Sequence, residues 1–228
     1  MLKYSIVPTY HKKRINYNKR KFTPNIRPNL LNGYFNPSQP NQVWVTDICH
    51  IQFGKEERYL SVILDLYDRK VVACKIHKFN NLALVLETLL TARLYRYDAK
   101  NVIIHSDQGV QYTSPRYHKV CRDYGFIISM SRPATPTDNA VIESFFSRLR
   151  AETEESQNIN SIEEKEKSIF DWIDFHDTDR ISLPRKPRKK EYFNYNKAIE
   201  KAKEFENLKL KKIKLWYRYC NVLLNMLY

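Results

Sequence analysis

Three carboxylates in this 228-residue chain occupy positions where ordinary surface charge would not sit. Asp47 lies inside the run QVWVTDICHIQF, on the same alternating face as Val43, Val45, Cys49, Ile51 and Phe53. An acid turned into an apolar face costs free energy unless it is paired or binds a cation. Asp107 ends the run NVIIHSD and precedes Gln108 and Gly109, which places it at the C-terminal end of a strand, where open α/β sheets carry function. Glu143 falls in the first turns of a predicted helix, four residues after Asn139 and so on its face. Each acid also has an ordinary local role open to it: an arginine pair or turn for Asp47, an Asx-turn for Asp107, a complement to the helix dipole for Glu143. A central strand, a strand end and a nearby helix can nevertheless bring all three to one site. Carboxylates so gathered repel one another and are best stabilised by divalent cations, and hard oxygen ligands select Mg²⁺ or Mn²⁺. Two such ions roughly 4 Å apart form the usual clamp for phosphodiester chemistry.

The pattern around these acids defines the elements that must position them. Period-two runs predict three strands, QVWVTDICHIQF, YLSVILDLYD and KVVACKIH, the last two joined by a tight turn near Asp68–Arg69. Their short links suggest an antiparallel meander. LALVLETLLTARLY places Leu82, Val85, Leu86 and Leu89 on one helical face. NVIIHSD is a short buried strand. SPRYHKVCRDYG is a helix with Ser114 as its cap, Pro115 at its first position and Gly125 beyond its end. FIISMSR is a fifth strand, and after the turn-rich PATPTD a helix is expected from Asn139 to about Glu155, capped by Asp138. A further helix spans Ile162–Phe175. The order β-β-β-α-β-α-β-α, then one more helix, predicts an α/β fold: a mixed five-stranded sheet flanked by helices.

Charge divides the chain into three. Residues 1–46 hold eight Lys or Arg and no acid; residues 181–228 hold 13 basic and four acidic residues. The middle, 47–180, holds 18 basic and 21 acidic residues, so the excess positive charge resides in the two arms and the middle is slightly acidic. The expected organisation is a basic, proline-containing linker over 1–41, a core over 42–180, and a basic tail over 181–228, helical in part or degenerate. In the tail, Ile199, Ala202, Phe205 and Leu208 recur as one helical stripe might. Basic arms suggest a polyanion partner, with DNA or RNA the usual one. Only four glycines occur and no glycine-rich phosphate loop is present, which argues against P-loop and Rossmann nucleotide sites. No apolar run reaches the ~18 residues of a membrane span, and the N-terminus lacks a signal-peptide core. The scattered Cys49, Cys74, Cys121 and Cys220 offer no zinc spacing and suggest a reduced, cytoplasmic chain.

The wording around the acids resembles the IS3-family insertion-sequence transposases, and more broadly the DDE transposases and retroviral integrases. The resemblance rests on Trp-Val-Thr-Asp at 44–47, His-Ser-Asp-Gln-Gly-Val-Gln-Tyr-Thr-Ser at 105–114, and Ser-Met-Ser-Arg with Thr-Asp-Asn-Ala-Val-Ile-Glu-Ser-Phe-Phe between 129 and 146. Thirty-five residues separate Asp107 from Glu143, as in the D,D(35)E signature. It implies an RNase H-like core over about 40–180. It also implies that Asp47, Asp107 and Glu143 are catalytic and hold two Mg²⁺ (or Mn²⁺) ions. The activity implied is cleavage and strand transfer at the ends of an insertion sequence, by a nucleoid-associated homo-oligomer acting on element ends and target DNA. Supporting or DNA-binding roles are expected for Asn139, Gln108, Arg148 and Arg150. His105 is expected as a packing or hydrogen-bonding residue and Trp44 as core.

Two departures shape the alternative. The chain begins almost at the linker, without the upstream recognition region of full-length relatives. Where relatives carry aromatic-Asn-x-x-Arg it has His176-Asp177-Thr178-Asp179-Arg180, and its ending is not recognisably the family's. The alternative to an active module is therefore a truncated, catalytically silent remnant that at most binds DNA, its tail native or frameshifted. A different RNase H-like nuclease would hydrolyse without joining strands.

Overall fold

The computed structural model describes residues 25–154, 159–178, 194–204 and 207. Its elements run β1 (Val43–Phe53), β2 (Glu56–Asp65), β3 (Val71–His77), α1 (Leu82–Tyr95), β4 (Ile103–Ser106), α2 (Pro115–Asp123), β5 (Ile127–Met130), α3 (Ala140–Glu154) and α4 (Ile162–Thr178). This is the order the sequence predicts. The sheet order is β3-β2-β1-β4-β5, with the first three strands antiparallel and β1, β4 and β5 parallel. β1 therefore lies at the centre of a mixed sheet.

Strand periodicity decides what each face of β1 meets. Val43, Val45, Cys49 and Ile51 join one core with Leu60, Val62 and Leu64 of β2, Ile142, Phe145, Phe146 and Leu149 of α3, and Ile169, Trp172 and Ile173 of α4. Trp44, on the opposite face and fully buried, joins a second core with Ile63 of β2, Val85 and Leu89 of α1, and Tyr117 and Cys121 of α2. Helices on both faces follow from a strand that is apolar on both. Asp47 belongs to the face that meets α3.

The turns carry the chemistry expected of them. Arg69 adopts φ +66° in the β2–β3 connection, where Lys70 N–H donates to Asp68 Oδ1 at 3.0 Å. Asn81 caps α1 through Leu84 N–H at 3.1 Å. Gly125 follows α2 at φ +76°. Of two expected caps, one holds in position and one is corrected. Ser114 stands at the cap position of α2 but its hydroxyl makes no capping bond. Pro115 has no N–H to satisfy, and the N–H of His118 is taken by the Ser114 carbonyl at 3.1 Å. Asp138 does not cap α3. It ends a short 3₁₀ turn, Pro136–Asp138, and its carboxylate turns back to Arg132, whose planar fork offers two donors to one anion.

Both flanking segments touch the core. Residues 25–41 form no helix or strand, yet Leu30 and Leu31 are buried in the α3-side core. A helical stretch over 195–204 lays Ala198, Ile199 and Ala202 against the same core, and Lys201 Nζ donates to the Asn29 carbonyl at 2.6 Å. Phe205 and Leu208, expected on that stripe, lie outside the described residues, as do 1–24. Among the described residues no helix is long and apolar enough to cross a membrane.

Phe145 couples α3 to α4: its ring meets Trp172 edge-on at 5.4 Å and His176 at 5.1 Å, and it is 1% exposed. Phe145→Ala is expected to cost about 3–5 kcal/mol, as deletion of a large buried ring does. The measurement is the urea midpoint, with the slope of the transition unchanged if only stability is affected.

Candidate active site

β1, the β4 end and α3 bring their acids to one place. Asp47, Asp107 and Glu143 line a cleft of about 590 Å³ together with Gln108, Gly109, Asn139 and the loop Ser131–Pro136. Asp107 reaches it because β4 lies parallel beside β1 and stops there. Glu143 reaches it because α3 packs across the odd-numbered face of β1 through Ile142, Phe146 and Leu149.

The electrostatics agree with convergence. Burial pushes the Asp47 carboxyl up to about 7; the Ile48 N–H bond opposes this, while the charges of Asp107 and Glu143 raise it further. Arg150 pulls the other way. Asp47 Oδ1 accepts the Ile48 N–H at 2.8 Å, and Asp107 Oδ1 accepts the Gly109 N–H at 2.8 Å. The second oxygen of each takes no hydrogen bond among the described residues. A Cβ on Gly109 would stand 2.9 Å from Asp107 Oδ1 and 3.4 Å from the Tyr112 ring, so only glycine lets the loop pass this close to the carboxylate.

The supporting candidates separate. Gln108 Nε2 donates to the Ser131 carbonyl at 3.0 Å, tying the loop after β4 to the loop after β5. Asn139 is 5% exposed, and its Oδ1 is buried without a hydrogen-bond partner among the described residues. Arg148 and Arg150 do not line the cleft. Arg148 Nε donates to the Ser144 carbonyl of its own helix at 3.3 Å, and Arg150 Nε meets Cys49 Sγ on β1 at 3.3 Å. Arg150 thus lies beside the strand of Asp47 and acts on its charge.

His105 is fully buried, with its pKa lowered to about 4 by desolvation. It is a hydrogen-bonding residue, as expected. Nε2 donates to the Asp138 carbonyl at 3.0 Å, which leaves Nδ1 to accept the Ser129 hydroxyl at 2.8 Å. Ser129 Oγ in turn accepts the Leu30 N–H at 2.9 Å. This relay fixes the loop that walls the cleft. Sequence reasoning missed Ser129, Arg132 and Asp138, which are linked only once the loop closes, Arg132 to Asp138 directly and Ser129 to Asp138 through His105. The one available signal was an acid six residues after an arginine across a proline-containing turn. It also passed over Asp65, a buried acid that holds the Asn41 and Tyr67 N–H groups at 2.7 and 2.9 Å. Its role is structural.

The donor set fits divalent cations of the hard type: three carboxylates, each with an oxygen that takes no hydrogen bond among the described residues, and an orphaned buried amide oxygen at Asn139. Among the described residues no three His, Cys, Asp or Glu side chains are drawn together tightly enough to enclose a single ion.

Comparisons with known proteins point the same way. The integrase core domain model matches residues 37–136, and a second integrase core domain model matches 124–181. The transposase for insertion sequence element IS904 of Lactococcus lactis is 35% identical over 156 residues, covering 68% of this chain and 62% of that protein. Transposase InsF for insertion sequence IS3A of Escherichia coli is 32% identical over 163 residues, 68% of this chain and 57% of that protein. The chain thus spans about three fifths of these relatives. Among solved structures, the HTLV-2 integrase catalytic core domain, in complex with magnesium, superposes with a TM-score of 0.52 at 17% identity. That likeness covers 65% of this chain and 93% of that one, and shows a shared RNase H-like fold.

The raised Asp47 carboxyl has a consequence for stability. Its folded form holds a proton over a range where the unfolded chain has released it. Folding therefore binds protons there, and stability falls as pH rises from about 4 to about 7. Urea unfolding across that range is expected to show the fall in wild type and a flatter profile in Asp47→Asn.

Proposed function

The chain belongs to the insertion-sequence transposases built on an integrase core domain, and on that premise we propose that it cleaves DNA strands and joins a 3′-OH to a target strand. The observation that carries the reading is the convergence of Asp47, Asp107 and Glu143, from three separate elements, on one cleft. Asp47, Asp107 and Glu143 would hold two Mg²⁺ or Mn²⁺ ions, with the Asn139 amide oxygen close by. When bound, the ions supply activation of the attacking oxygen and charge stabilisation at the leaving one.

The chain's own residues position and tune this chemistry. The Gly109 N–H holds one oxygen of Asp107, orienting the carboxylate before any ligand arrives. The Ile48 N–H does the same for Asp47. Burial and the two neighbouring carboxylates leave Asp47 partly protonated near neutrality, so arriving positive charge would displace that proton and gain a full carboxylate. The His105–Ser129 relay keeps the wall of the cleft in place without titrating, because its imidazole stays neutral above about pH 4.

The basic arms fit a DNA partner, with residues 1–46 free of acids and 181–228 strongly cationic. Pairing two element ends calls for a homo-oligomer, and the reading places the protein in the cytoplasm with the nucleoid. Three intact acids around one cleft favour the active reading over the silent remnant.

The test pairs supercoiled plasmid with a short duplex bearing a free 3′-OH, in Mg²⁺ or Mn²⁺. Nicking and joining by wild type, and neither by Glu143→Gln, are expected; equal behaviour of the two proteins would sink the reading. Gly109→Ala, which drives a methyl group against Asp107 Oδ1, is expected to fold and to lose about 10²-fold in joining rate, the usual cost of a displaced catalytic group.

A further inference from the structure

Arg132 lines the carboxylate cleft, yet the three-acid chemistry does not use it. Its Nε donates to Asp138 Oδ2 at 2.9 Å and its Nη2 to Oδ1 at 2.8 Å, and its backbone N–H reaches Oδ2 at 3.0 Å. The two ends of this pair differ sharply. The Asp138 side chain is 1% exposed and that of Arg132 is 60% exposed. The buried end is anchored again through its carbonyl, which takes the Nε2–H of His105 in the relay to Ser129 and Leu30. An exposed guanidinium is thus held along one edge by a carboxylate that cannot move.

A guanidinium carries five N–H donors in a fixed fork. Asp138 engages two of them, and the other three find no partner among the described residues. Arg132 is not the counter-charge of the catalytic acids: Arg150 tempers Asp47, whereas the charge of Arg132 is answered by Asp138. The cleft is otherwise acidic, which disfavours a nucleic-acid backbone. A planar cation on its rim, with donors pre-aimed, matches the geometry of a phosphate.

We propose that Arg132 contacts a DNA backbone phosphate: the outer edge of its guanidinium takes a phosphate of the strand lying in the carboxylate cleft, while Asp138 holds the inner edge in place. The proposal deepens the strand-transfer reading and rests on it for the path of the DNA. Asp138 acts through Arg132 and is a positioning residue.

The experiment uses the full chain and a fluorescein-labelled duplex of arbitrary sequence, with Ca²⁺ in place of Mg²⁺. Affinity is read by anisotropy over a series of salt concentrations. Each phosphate contact contributes about 0.9 to the slope of log affinity against log salt. Arg132→Gln is expected to lower that slope by about 0.9 and to weaken binding about tenfold, whatever the sequence. Arg132→Lys, which keeps the charge, is expected to retain most of the slope. Lys167→Gln, on an exposed position of α4, sets the effect of removing one surface charge. Should Arg132→Gln fail to fold because it strands the Asp138 carboxylate, the double variant Arg132→Gln/Asp138→Asn removes both partners and is expected to show the same fall. A folded variant whose slope falls no further than that of Lys167→Gln overturns the proposal and leaves the pair as a loop staple. The plasmid assay on the same preparations separates the two readings. Active wild type with an unaltered Arg132→Gln slope overturns the phosphate contact alone. Silent wild type with a reduced Arg132→Gln slope overturns the activity and keeps the contact. Absence of DNA binding by wild type overturns both.

Discussion

A carboxylate on the central strand of a sheet covered by helices on both faces is the constraint that the rest of this molecule accommodates. β1 buries Val43, Val45, Cys49 and Ile51 on one side and Trp44 on the other, with the half-buried Asp47 between Val45 and Cys49. Desolvating that acid opposes its ionisation, and two more acids nearby add to the opposition. The fold tolerates it because the apolar burial on both faces of β1 outweighs one local cost, and because the Ile48 N–H and the charge of Arg150 offset part of it. The same arrangement leaves an acid that nearby positive charge would ionise. An acid held near neutrality by burial and repulsion gains most from arriving positive charge.

Holding three acids in place takes more than the elements that bear them. β1 and β4 are fixed by the ladder, and α3 by Phe145, Phe146 and Leu149 in the core. The loop between β5 and α3 has no ladder, and instead it closes on itself. Arg132 and Asp138 bind across it, His105 holds the Asp138 carbonyl from beneath, and Gln108 ties its start to the loop that bears Asp107. Side-chain hydrogen bonds do there what backbone pairing does elsewhere, and they do it next to the cleft, where a regular strand would fill its open space.

Several features were legible because they are local. The apolar alternation of β1, the tight turn near Asp68–Arg69 and the D,D(35)E spacing depend on residues near one another in sequence. Features that failed were those in which a distant group outbid a near one. Asp138 has the position of a helix cap, but the fork of Arg132 binds it better than a lone N–H would. Asp65 gave no sign of burial, because the N–H groups that satisfy it come from a turn and from Asn41, 24 residues away.

The sequence by itself determined the element order, the apolar alternation of β1, and the order and spacing of the three acids. Each of these follows from periodicity or from residue type, which a chain carries whatever its folded shape. Only the tertiary structure decided that the acids share a cleft, that Asp107 and Glu143 raise the Asp47 carboxyl, and that Arg150 offsets part of that rise. It also decided that Leu30 and Ala198, from segments read as arms, pack against the core. Those outcomes depend on the parallel placement of β4 beside β1 and on the crossing of α3 over the sheet. Distances of a few ångströms between residues dozens of positions apart are set by that packing, and no local pattern encodes them.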